Sequence, residues 1–377
     1  MNAPNINKET PVKVMIVDDS ALMRKLLSET LRRDPGIEVV GTAMDGQFAL
    51  DHLSRSRPDV VLMDVDMPRL DGLSALDRIV AEYSLPVVMC SAQTTKGAEA
   101  TIQALARGAV DFIEKPTLAA LTSGAAANEI GTKVRGAKNA RVKSHGQPQQ
   151  TSVQATERQP AFPPVEMVSS RRMLTQLESM VKTVRPQLVA IGTSTGGPPA
   201  LEHVLSSLPA DFPLGIVIVQ HMPPGFTQQL ANHLNRSSNI TVREATDGEP
   251  VTAGVALVAP GGTHLKVQRK GESYCVKVDG QTPPVSSHRP SVDVLFESVA
   301  HSTKGRAAAF LMTGMGSDGA EGLGKLAAAG AITVAQTLDS CVCHGMPKSA
   351  IERGYARVVL PLDSISTAIF SCAPQAA

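Results

Sequence analysis

Residues 188–201 read LVAIGTSTGGPPAL. An unbroken apolar run of strand length ends in a turn of small residues. Two prolines then open PPALEHVLSSL, whose apolar positions recur at helical spacing. Strand, tight turn and helix in that order predict an α/β arrangement. The turn has two candidate uses. As an anion cradle it would offer backbone N–H groups at a helix N-terminus. Against that, it has no P-loop lysine, and its glycines do not follow G-x-G-x-x-G. It does match G-x-S-x-G across Gly192–Gly196, a pattern that turns a strand sharply into a helix and leaves a serine hydroxyl, here that of Ser194, at the corner.

A serine nucleophile needs a base, and the base needs an acid to orient it. Further strand-length runs follow: PLGIVIVQHM, GVALVAP, AAAFLMTG and AAITVAQ, with helical segments between them and a hairpin expected around SYCVKVD. His221 ends the strand after the one that delivers Ser194, so a parallel sheet would set the two side by side. Asp318 lies in the glycine-rich loop MTGMGSDGAEG after another apolar strand, placed to receive the His221 N–H. The order Ser, His, Asp differs from the Ser, Asp, His of α/β-hydrolases, but triads are defined by geometry and not by order. His264 and His288 are rival bases. His288 and Arg289 precede a predicted helix, where a structural or substrate-side role is favoured. His203 and His233 fall within helical patterns.

The first 118 residues repeat the alternation. VKVMIVD (12–18), EVVGTAM, DVVLMDV (59–65), LPVVMCSA (85–92) and VDFIEKP (110–116) read as five strands with helices between them, and Ser20 is placed to cap the first helix. Asp18 and Asp19 end the first strand and Asp64 the third, so three carboxylates converge at one sheet edge. Such crowding calls for a cation, and Mg2+ suits carboxylate and water ligands. One carboxylate would remain as a nucleophile toward phosphorus. Ser91 and Lys115, at the ends of strands four and five, are placed to contact phosphoryl oxygens.

Between the halves the pattern decays. AKNARVKSHGQPQQTSVQATERQPAFPPVEMVSS is rich in Gln, Ser, Pro and basic residues and cannot bury enough apolar surface to offset its ordering entropy. It reads as a flexible tether, with a short helix near 171–182 and a helix before Gly136 packed on the first domain. The whole chain, at 377 residues, exceeds one ordinary core. It is 42% hydrophobic with 3% aromatics and no Trp, so its cores must be aliphatic. A net charge of +1 gives no sign of a nucleic-acid surface. No apolar run reaches the roughly 18 residues of a membrane span, and the N-terminal stretch has no apolar h-region. Five scattered cysteines fit a reducing compartment. Cys341, Cys343 and His344 lack a second pair to complete a zinc site, which favours buried or incidental thiols.

Residues 11–130 resemble the receiver domain of response regulators through VDDS, DVDMP, DGL, SA and KP. The resemblance implies phosphorylation at Asp64, Mg2+ held by Asp18, Asp19 and Asp64, phosphate sensing by Ser91 and Lys115, and a switch aromatic at Phe112. A histidine kinase would be the phosphodonor. GTSTGGP, QHMPPGFT, HRPSVDVLF, MTGMGSDGA and GMP resemble the catalytic domain of chemotaxis protein-glutamate methylesterases, the CheB family, over nearly the whole of 186–370, and the catalytic domain is expected over 186–372. That resemblance implies Ser194, His221 and Asp318 as nucleophile, base and acid, with Thr195 and Met315 as oxyanion donors and no cofactor in the catalytic half. It implies a cytoplasmic enzyme that demethylates glutamate γ-methyl esters, and deamidates glutamines, on chemoreceptor helices, without nucleic acid or membrane insertion. The expected fold is two doubly wound parallel-sheet domains, flavodoxin-like and Rossmann-like, joined by a flexible linker over 131–185. A transcription regulator, the main rival, would need a basic recognition helix, and none is found after residue 186. A second rival keeps the same half as an anion- or nucleotide-binding scaffold without chemistry.

Overall fold

The computed structural model describes residues 10–92, 94–123, 126–140 and 170–373. The N-terminal unit alternates β1 (Val12–Val17), α1 (Ala21–Arg32), β2 (Ile37–Ala43), α2 (Gly46–Leu53), β3 (Val60–Asp64), α3 (Gly72–Tyr83), β4 (Val87–Ser91), α4 (Thr95–Ala106) and β5 (Asp111–Glu114), followed by α5 (Leu118–Ser123) and α6 (Ala127–Lys138). All five strands are parallel, in the order β2-β1-β3-β4-β5. The order reverses between β1 and β3, and ligands bind at such a switch point beyond the carboxyl ends of the strands. Asp18 and Asp64 stand there. Ser20 caps α1 by accepting the Met23 amide.

The expected boundary at residue 130 falls inside α6. Ile130, Val134 and Ala137 of this helix are buried with Val12, Val14 and Ile16 of β1, so the N-terminal core extends to Lys138. At the other end α7 (Ser170–Val184) packs on the C-terminal unit through the buried Leu177. The ordered ends of the expected linker therefore reach further in from both sides. Residues 141–169, where the flexible tether was expected, lie outside the described residues.

The C-terminal unit runs β6 (Leu188–Thr193), α8 (Gly197–Ser206), β7 (Gly215–Gln220), α9 (Phe226–Ser237), β8 (Thr241–Glu244), β9 (Val255–Val258), β10 (His264–Lys270), β11 (Ser273–Asp279), α10 (Val292–Thr303), β12 (Ala308–Leu311), α11 (Ala320–Ala328), β13 (Ile332–Gln336), α12 (Gly345–Glu352), β14 (Val358–Leu360) and α13 (Leu362–Ser371). Seven parallel strands form a sheet in the order β14-β13-β12-β6-β7-β9-β8, and β10 pairs antiparallel with β11 in the expected hairpin. Two edge strands, β8 and β14, add to the five expected from the apolar runs. The central strands β6, β7 and β12 are buried along their whole length, as a sheet covered on both faces requires. The chain leaves β6 toward β7 on one side and returns at β12 on the other, which puts the switch point at the end of β6, beside Ser194. Among the described residues, no helix is long and apolar enough to cross a membrane.

Candidate active site

Ser194 occupies the corner between β6 and α8. Its amide donates to the Thr313 carbonyl at 3.0 Å, and its own carbonyl accepts from the Gly197 amide at 2.8 Å and from Gln220 Nε2 at 2.9 Å. The turn needs Gly196, whose φ of +74° is left-handed and whose Cβ, were there one, would stand 2.5 Å from Val342 Cβ. Prolines in the first turn of α8 cost nothing, because N–H groups there have no helical partner. Thr195 and Met315 flank this corner. Thr313 binds the strands together there: its hydroxyl donates to the Thr195 carbonyl and accepts the Cys343 amide. The amides of Thr195 and Met315 carry no hydrogen bond among the described residues, which leaves both available as oxyanion donors.

His221 follows β7, one register step from Ser194, since Thr193 pairs with Gln220. Its side chain is 7% exposed, and Nε2 lies 2.8 Å from Asp318 Oδ2. Nδ1 is buried and has no hydrogen-bond partner. With Nε2–H donated to the carboxylate, the free lone pair belongs to Nδ1. The Ser194 hydroxyl is not hydrogen-bonded to the ring, as is common before substrate binds.

Asp318 is buried at the N-terminus of α10. Besides His221 it accepts from Ser291 Oγ at 2.8 Å and from the amides of Val292 at 2.6 Å and Asp293 at 3.3 Å. Burial alone would raise its pKa, but the His221 contact, the Ser291 and Val292 hydrogen bonds and the helix N-terminus hold it below the ordinary carboxylate value. Neighbouring Asp293 moves the other way, raised by burial and by the charge of Asp318. Ser291 caps α10 through the Val294 amide and was not singled out in the sequence, although a serine opening a helical run is a visible cap signal.

The two rival histidines part company. His264 is fully buried with both ring nitrogens in use, Nε2 on the Pro283 carbonyl at 3.0 Å and Nδ1 accepting the Ser291 amide at 3.2 Å. It holds the cap that holds Asp318. His288 instead lies flat on His221, with centroids 3.8 Å apart and an interplanar angle of 12°. Cys341 and Cys343 join no group of metal-ligand side chains among the described residues, and burial raises the pKa of the Cys343 thiol.

At the N-terminal sheet edge Asp18, Asp19 and Asp64 bring carboxylate oxygens within 4.8 Å of one another. Lys115 Nζ lies 2.6 Å from Asp64 Oδ2 and 2.9 Å from Asp18 Oδ2. The second contact is an ion pair without hydrogen-bond geometry, so Asp18 Oδ2 is buried with no hydrogen-bond partner. Burial, helped by the charge of Asp18 and opposed by Lys115, pushes Asp64 up to about 6. Desolvation opposes but does not cancel the carboxylates' pull, and Lys115 is held above its ordinary value. Crowded oxygens, one of them buried without a hydrogen bond, fit a hard divalent cation. Ser91 Oγ donates inward to the Gly97 carbonyl at 2.9 Å, so its hydroxyl faces α4 rather than Asp64.

The CheB methylesterase family profile matches residues 189–369, and the response regulator receiver domain profile matches residues 14–123. A "protein-glutamate methylesterase/protein-glutamine glutaminase" from Symbiobacterium thermophilum is 47% identical over 96% of this chain and 97% of its own length. A Pseudomonas aeruginosa protein of the same description, numbered 2, is 43% identical over 97% of this chain and 98% of its own. This chain belongs to the CheB methylesterase family. Among solved structures, the CheB methylesterase catalytic domain of Thermotoga maritima is 41% identical, covers 49% of this chain and 97% of that one, and superposes with a TM-score of 0.48.

In this CheB chain the receiver lies across the catalytic loops. Phe112, expected as a switch aromatic, stacks its buried ring on Phe226 of α9 at 4.7 Å. Helix α4 packs on α8 and α9. Asp111 accepts a hydrogen bond from the Thr195 hydroxyl on one oxygen and faces Lys133 Nζ on the other, at 3.3 Å. The Met315 methyl rests on the α-carbon of Gly136 in α6, a seat that any Cβ would fill. Both oxyanion candidates thus carry receiver contacts through their side chains.

Proposed function

We propose that this chain is a phosphorylation-controlled hydrolase that demethylates glutamate γ-methyl esters, and deamidates specific glutamines, on the cytoplasmic helices of chemoreceptors. The observation that carries this reading is His221, bound through Nε2 by a buried, ionised Asp318, with Nδ1 unpartnered beside the Ser194 corner. His221 Nδ1 takes the Ser194 proton as Oγ attacks the ester carbonyl. The Thr195 and Met315 amides receive the charge that develops on oxygen, a contribution worth about 3 kcal/mol per donor. The imidazolium, steadied by Asp318, returns its proton to the leaving methoxide and methanol departs. Water, deprotonated by the same nitrogen, then releases glutamate from the acyl-serine. A glutamine side chain reaches the same acyl-serine with ammonia as leaving group, so one site serves both substrates.

The receiver, assigned to residues 11–130 and extended by α6, takes a phosphoryl group from a histidine kinase onto Asp64. Asp18, Asp19 and Asp64 would hold Mg2+, which neutralises the incoming phosphoryl oxygens, and Lys115 and a rotated Ser91 contact those oxygens. The unphosphorylated receiver covers the Ser194 cleft of the catalytic domain, residues 186–372, and phosphorylation weakens that contact, a shift that needs only a few kcal/mol. The enzyme acts in the cytoplasm, without nucleic acid or membrane insertion. The test is methanol release from methylated receptor membranes. Ser194→Ala is expected to abolish release while Asp64 still takes up phosphate, and retained turnover would place the nucleophile elsewhere.

A further inference from the structure

His288 is left over by this chemistry, yet the chain goes to some length to place it. Residues 285–288 form a tight reverse turn, with Val285 and His288 exchanging both backbone hydrogen bonds at 2.8 and 3.0 Å. The two central residues, Ser286 and Ser287, have φ of +51° and +65°. Both are non-glycine residues in the left-handed region, which costs about 1 kcal/mol or more each and persists only where the surroundings over-determine it. Arg289 locks the far side, with Nη1 on the Gly280 and Thr282 carbonyls and its own carbonyl accepting the Gly262 amide. The turn delivers one imidazole flat against another, 3.8 Å away.

The base needs such a plate. The hydrogen bond from Nε2 to Asp318 fixes one point of the His221 ring, but it leaves the ring free to swing about that contact, and χ2 of histidine is a soft torsion. Only a contact on the ring face fixes the plane. Nδ1 has no protein partner to do this from the other edge.

We propose that His288 is a positioning residue for the base: its ring face sets the plane of His221 so that Nδ1 points at Ser194. The ring also suits the charge that forms. Burial, followed by the nearby His221, pushes His288 down to about 4, so it is neutral at working pH. A neutral aromatic face against the imidazolium is attractive, where a second cation would repel. Because the role is geometric, misplacement by about 1 Å would cost on the order of a hundredfold in rate.

The inference rests on Ser194, His221 and Asp318 acting as proposed above, and the test separates the two. Full-length protein, with acetyl phosphate as phosphodonor, is assayed by methanol release from methyl-esterified receptor membranes. His288→Phe keeps a flat face, His288→Leu keeps bulk without one, and His288→Ala removes both. The alanine and leucine variants are expected to lose about 10- to 100-fold in kcat with KM within twofold, whereas phenylalanine stays within about threefold of the parent. The leucine and phenylalanine arms decide the matter even where the alanine variant fails to fold. Full kcat in the leucine variant overturns the proposal, as does a rise in KM alone or a phenylalanine variant as slow as leucine. Turnover in a parallel Ser194→Ala sample would instead sink the nucleophile assignment itself.

Discussion

Gly136→Ala should turn the enzyme on without phosphate. The added methyl overlaps the Met315 Cε seated on this α-carbon, so either the methionine swings out or α6 lifts from the Met315 loop. Overpacking of this kind costs about 1–3 kcal/mol. Alanine also favours the helix by about 1 kcal/mol over glycine, but α6 is helical whether or not the domains touch, so that gain cancels from the docking equilibrium. The remaining penalty falls on the closed state alone. At about 1.4 kcal/mol per factor of ten, the fraction of open molecules rises about 5- to 150-fold until it saturates. The assay is methanol release without a phosphodonor, compared with the stimulated rate of the parent. Basal activity should climb toward that stimulated level while the melting temperature of the chain holds. In a Met315→Ala background, where the overlap is gone, the same substitution should do nothing. A basal rate identical to the parent, in the presence of Met315, would refute the idea that α6 holds the catalytic loop shut.

Asp318→Asn keeps the volume but removes the charge that, in the proposed mechanism, steadies the His221 imidazolium. At an effective dielectric near 20 and about 4 Å, that charge is worth about 4 kcal/mol, so kcat should fall about a thousandfold with KM unchanged, and a loss below tenfold would argue against the assignment. The same variant turns an NH2 toward an N–H at the start of α10 and should lower stability by about 1–3 kcal/mol, measured by thermal unfolding. For His288 the sign follows from its lowered pKa: between about 6.5 and about 4 the unfolded chain binds the proton and the folded chain does not, so stability falls as the solution is acidified. His288→Phe should flatten that part of the stability curve by no more than about 3 kcal/mol, less for the exposed part of the ring. An unchanged slope would show that the ring titrates normally.

Much of this was visible in the chain itself because strand ends are visible. Apolar runs that stop at Asp18, Asp64, Ser194 and His221 announce both the sheet and the edge where those side chains meet. The strands that escaped notice are edge strands: TVRE of β8 shows one buried position and two charges, and β14 has only three residues. Partners were harder to foresee than positions. His264 and His288 are the same residue type, and only their contacts show that one holds a helix cap and the other lies on His221. The grip of Val292 and Asp293 on Asp318 relies on backbone amides, which leave no trace in residue identity. The seam between the domains was the least legible. Phe112, Gly136, Thr195 and Met315 satisfy their local elements, and nothing in spacing pairs residues from two separately folded sheets.

One short strand ties the two chemistries together. Asp111, against Thr195, opens β5, and Lys115, against Asp64, directly follows its last residue, about 13 Å away at ordinary strand rise. The same few residues therefore carry both contacts. The same economy is a constraint on descent: any drift in the length or twist of these few residues would mistune the sensor and the catalyst at once.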